Sequence, residues 1–152
     1  MNYRYPFAAL LLSTMLPYAA HADTQDKHPA YLHALSDLRD ARANLEHKAG
    51  NDRVSQQEDK AIAEIDYAAQ AVKRIAAADD KGLYNRPHED AQFDHAGRLH
   101  HAEDLLQKAK SDLAQREDNE EAKKLQRHAI DHVQAALQAT EMAIKEVEHG
   151  AH

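Results

Sequence analysis

Two histidines four residues apart, His128 and His132, lie in a segment patterned as a helix. That spacing sends both rings off one face about one turn, roughly 6 Å, from each other. Two imidazoles so placed can chelate one metal ion, as neighbouring histidines on zinc-binding helices do. His33 and Asp37 repeat the spacing near the start of the helical region, and Asp66, His100 and His101 lie between the two pairs in sequence. Folding the chain at its short turns sets His132 level with about Asp104, one turn from His100 and His101. The same folding sets Asp37 near the level of Asp66. The candidate metal ligands are therefore His33, Asp37, Asp66, His100, His101, His128 and His132. Imidazole with carboxylate suits Zn(II), Cu(II) or Ni(II) better than Cu(I), because the only soft ligand beyond residue 22 is Met142.

The opposite reading starts from frequency. Twelve histidines in 152 residues produce four-residue spacings by chance, and His33 and Asp37 share a line with Asp40, Asn44 and His47, the pattern of a solvated polar face. His149 and His152 lie in the tail, where ends fray. The run from His88 to His101 packs four histidines with several acids, and its segment Phe93-Asp94-His95 is placed to fold over the bundle end beside His100.

Other chemistries lack their residues. No G-x-S-x-G, P-loop or dinucleotide glycine pattern is present, nor the pair of E-x-x-H motifs that a di-iron carboxylate bundle needs. Without cysteine there is no covalent haem and no disulfide. The scarcity of bulky lining argues against b-type haem. No residue set supports catalysis, so the expectation is a binding protein and not an enzyme.

The setting comes from the first 22 residues. One basic residue, Arg4, precedes an apolar run from Phe7 to Leu16, and Ala20-His21-Ala22 has the small-x-small pattern cut by signal peptidase before Asp23. The run is roughly half of the ~20 residues a membrane helix needs. Residues 1–22 are expected to be a signal peptide and 23–152 a single domain without a membrane span, periplasmic or secreted. The whole chain carries 19 basic and 26 acidic residues for a net −7; losing Arg4 makes it about −8, which disfavours nucleic acid as a partner.

The elements that must hold the ligands are helical. Pro29 suits a first turn, and Tyr31, Leu35, Leu38 and Leu45 recur at three-to-four spacing up to Gly50. Ser55-Gln56-Gln57-Glu58 reads as a capping box ahead of Ile62, Ile65, Ala69, Val72 and Ala76. Leu99, Ala102, Leu106, Ala109 and Leu113 form a third stripe, which stops at Glu117-Asp118-Asn119. A fourth then carries Ile130, Val133, Leu137, Ile144 and Val147 to about Glu148. Short connections after the first and third helices predict an all-α, up-down-up-down antiparallel four-helix bundle with a long loop, about Asp80 to Gly97, between helices two and three.

The segments His28-Pro29-Ala30-Tyr31-Leu32-His33-Ala34-Leu35-Ser36-Asp37-Leu38-Arg39, Gly97-Arg98-Leu99-His100 and Ala129-Ile130-Asp131-His132 resemble a group of uncharacterised small exported bacterial helical-bundle proteins. The resemblance spans most of residues 23–152 and carries no activity. It implies that His33, Asp37, His100 and His132 belong to a recurring pattern of which His101 and His128 are less typical. Together these readings predict an exported bundle whose partner is a divalent transition metal ion. The alternative is an envelope-stress, chaperone-like or protein-interaction module partnered by another envelope protein, whose surface histidines take up charge as pH falls through about 6.5.

Overall fold

A computed structural model of the chain describes residues 29–47, 52–77 and 94–150. They form four helices, α1 (Pro29–Glu46), α2 (Asp52–Ala77), α3 (His95–Leu113) and α4 (Glu120–Gly150), with no strand among the described residues. The all-helical class expected from periodicity is what the chain adopts. None of these helices is long and apolar enough to cross a membrane. The expected signal segment, and residues 80–93 of the expected loop, lie outside the described residues.

Local chemistry sets the helix starts. Asp94 caps α3 by accepting from the Gly97 amide at 2.8 Å. Asn119 Oδ1 caps α4, accepting from the amides of Glu121 at 2.9 Å and Ala122 at 3.1 Å, while Glu120 and Glu121 place negative charge at that helix's positive end. The start of α2 departs from expectation. The helix begins at Asp52, so Ser55 and Glu58 lie inside it and form no capping box. Val54, only 1% exposed, already belongs to the core, and Glu58 is fully buried. Hydrophobic burial of Val54 thus carries the helix past the start that S-x-x-E suggested.

Buried residues recur every seventh position. Leu38 and Leu45 follow Tyr31 on α1, Leu106 and Leu113 follow Leu99 on α3, and beside each run lies an alanine column, Ala34 and Ala41 or Ala102 and Ala109. On α4 the alanines are Ala129, Ala136 and Ala143, beside Gln126, Val133 and Thr140; on α2, Ala61 and Ala68 stand beside Glu58, Ile65 and Val72. A seven-residue repeat keeps one stripe facing neighbours that wind around each other at a shallow angle. Alanine brings the backbones close, so a core without tryptophan or phenylalanine still fills its volume.

The packed pairs are α1/α2, α1/α3, α2/α4 and α3/α4, which leaves α1/α4 and α2/α3 on the diagonals. Directions follow from which ends meet. The end of α1 meets the start of α3, where the His47 carbonyl lies 3.2 Å from both His95 Nδ1 and Arg98. The start of α2 lies at that same end, with Glu58 Oε1 3.3 Å from His95 Nε2, and so does the end of α4, with Glu148 3.8 Å from His100. At the opposite end Tyr31, on the first turn of α1, donates to Glu117 at 2.7 Å. Every packed pair is therefore antiparallel, but α2 and α3 point the same way. The up-down-up-down order is corrected to a bundle with one long crossover connection.

The turn between α3 and α4 is held by buried polar groups. Gln126 donates to the carbonyls of Leu113 at 2.6 Å and Gln115 at 2.7 Å, satisfying the end of α3. Glu117, 5% exposed, accepts from Tyr31 and from the Asn119 amide at 2.8 Å. Replacing Gln126 with Ala strips two carbonyls of their donor inside the protein. The expected loss is about 1–3 kcal/mol of unfolding free energy, read by urea denaturation with circular dichroism.

Candidate functional site

Two of the sequence-selected histidines come together, with a partner that the sequence did not flag. His132 leaves α4 beside the alanines Ala129 and Ala136 and faces α2, where its Nδ1 lies 2.6 Å from Glu64 Oε2. The carboxylate accepts, so the His132 Nδ1–H donates, and the tautomer of the neutral ring that makes this bond leaves Nε2 as the acceptor on the other side. That nitrogen lies 3.3 Å from Nε2 of His128, one turn earlier on the same helix. Tyr67, one turn beyond Glu64 on α2, sets its ring 5.2 Å from that of His132. Glu64 and His132 are each about three-quarters buried, whereas His128 is exposed and Tyr67 is 56% exposed.

This geometry matches half of a tetrahedral site. Two nitrogens bound at ~2.05 Å around a tetrahedral ion stand about 3.3 Å apart, which is the observed separation. A carboxylate on the far ring nitrogen is the usual device for fixing a ligand histidine's tautomer and raising its basicity. The ring centroids are 4.5 Å apart and nearly perpendicular, closer than the ~5 Å imposed when both lone pairs aim at one ion. Entry of an ion would thus turn the rings slightly apart. His128, exposed and with a broad χ2, is free to make that rotation. In doing so it moves its proton from Nε2 to Nδ1.

The other candidates go elsewhere. Asp66 does not meet Asp37; it accepts from Arg42 at 2.9 Å, and Arg42 also pairs with Glu46. Asp37 faces α3 instead, near Asp112 and Lys108, with His33 exposed one turn before it. His100 lies between Glu103 at 3.7 Å and Glu148 at 3.8 Å. Glu148 is 16 residues, about 24 Å, along α4 from His132. His101 is half-buried one residue on, equally far from the pair. The expected approach of His100 and His101 to His128 and His132 fails because His100 meets α4 at Glu148, far along the helix from His132, and because His132 is rotated towards α2 and not α3. Among the described residues no three His, Asp or Glu side chains converge to hold a metal. His95 does sit over a bundle end, but against Glu58 and His47.

Burial holds the Asp37 carboxyl above its ordinary value of 3.8; the charge of Asp112 adds to this, Lys108 opposes it, and Asp40 and His33 make smaller contributions of opposite sign. A raised folded value means that the fold binds this proton more tightly than the unfolded chain does. Stability is therefore lost as pH rises from the ordinary value through the raised one, and the penalty persists at neutral pH. Asp37→Asn is expected to raise the thermal midpoint at pH 7, with the gain shrinking as pH falls towards 4, as measured by melting curves across that range.

The chain matches no protein-family model, no curated protein and no solved structure.

Proposed function

We propose that this protein is an exported, non-catalytic binder of a divalent transition metal, with His128 and His132 as its ligands and Glu64 as the group that orients His132. The observation that carries the reading is the chain of contacts from Glu64 through His132 to His128. A hydrogen-bonded carboxylate fixes one ring nitrogen, and the other faces a second imidazole at 3.3 Å. Borderline nitrogen donors favour Zn(II), Cu(II) or Ni(II). Cleavage after Ala22 would place the site in the periplasm or outside the cell, where no cysteine of this chain competes for the ion. The site is narrower than the seven-residue cluster expected from spacing, and His33, Asp37, Asp66, His100 and His101 have no part in it.

The test is calorimetric titration of the purified protein without a histidine tag, using each of the three ions. A fixed, saturable stoichiometry is expected, lost in His132→Ala and retained in His100→Ala. Removing the carboxylate in Glu64→Ala should weaken affinity about 10- to 100-fold, the usual effect of deleting a ligand's hydrogen-bonding partner. The spread of His33, His100 and His132 over separate faces supports a second reading, an envelope interaction module whose surface histidines gain charge in acid. Weak, non-saturable binding that survives His132→Ala would decide for that module.

A further inference from the structure

The candidate site offers two ligands where a tetrahedral ion takes four. Glu64 is engaged on the far side of His132, at Nδ1, and no third histidine or carboxylate among the described residues joins the pair. The remaining donors therefore lie outside the described residues, and a second molecule of the chain can supply them. Nothing of the described chain covers the outer side: His128 is exposed, as are Ala63 and Tyr67 on the facing helix.

We infer that, resting on the metal reading above, the ion is shared between two copies of this chain, each supplying His128 and His132. A twofold axis through the ion would present the same patch of each copy to the other, the isologous arrangement of most dimers. Four imidazoles then complete the tetrahedron that structural zinc sites adopt.

Charge favours the same count. Four neutral imidazoles leave the ion's two positive charges uncompensated, and burying such charge between proteins is costly unless it is balanced. Each copy brings one Glu64 carboxylate, hydrogen-bonded to a ligand at 2.6 Å. Two copies supply two negative charges, which balance the two of the ion. A single copy supplies one, which leaves a net positive ion open to water. Tyr67, the more exposed of the two large apolar side chains at the surface among the described residues, lies beside His132 and would be covered by the second copy.

The experiment is light scattering on the untagged protein during titration with Zn(II). The expected result is a doubling of mass that saturates at one zinc per two chains and reverses with a chelator. The doubling should be absent in His128→Ala and His132→Ala and kept in His100→Ala. His128 is exposed, so its variant keeps the test open if His132→Ala fails to fold. One zinc per chain at monomer mass would overturn the sharing and leave the metal reading standing. A dimer that forms without zinc, or survives both substitutions, would also overturn it. No zinc binding would overturn the sharing, and no binding of Zn(II), Cu(II) or Ni(II) in the calorimetric titration would sink the metal reading as well.

Discussion

Close approach of the helices is the constraint on which the rest depends, and the alanine columns make it possible. The contact of Glu64 with His132 sets α2 and α4 in register. In antiparallel helices that register brings Ala61 and Ala68 to about the levels of Ala136 and Ala129, all fully buried. Side chains of one carbon let two backbones come near enough for a carboxylate on one helix to reach an imidazole on the other. A larger residue in either column would push the helices apart, and the hydrogen bond that orients His132 would lengthen with them.

Much of the fold could be read from the sequence, for a physical reason. Amphipathic periodicity reports which residues a helix buries, so Leu35, Leu38, Ile65, Val72, Leu106, Val133 and the helix limits near Pro29 and Glu120 came out close to where they lie. Periodicity is silent about direction. Short connections fix the sense of α1 against α2 and of α3 against α4, but a long segment can return on the same end or cross to the other. The deciding contacts, Glu58 with His95 and the His47 carbonyl with Arg98, involve residues whose types suggested a helix cap and a polar face. Glu58 reads as a cap because the two matching letters of S-x-x-E outweigh the seven-residue column that places it with Ile65 and Val72.

The site was half legible. The spacing of His128 and His132 is a local property and survives folding, because i and i+4 share a face in any α-helix. Convergence of different helices is not local. It depends on the rotation of each helix about its axis and on which helix stands next to which, so Asp66 goes to Arg42, and His100 to the far end of α4. Glu64 carried no signal of its own. Only the pairing of α2 with α4, which the crossover creates, reveals it.

The crossover has a further consequence, for the order of assembly. The α1/α2 and α3/α4 hairpins are each closed by short connections, whereas the contacts between them join residues far apart in sequence: 68 positions for Glu64 with His132 and 86 for Tyr31 with Glu117. Closing long loops costs more entropy than closing short ones. Until the two hairpins dock, His132 has no carboxylate to select its tautomer. The nitrogen that His132 turns towards His128 is set by contacts between the two halves, which makes the histidine pair a reporter of whether they have come together.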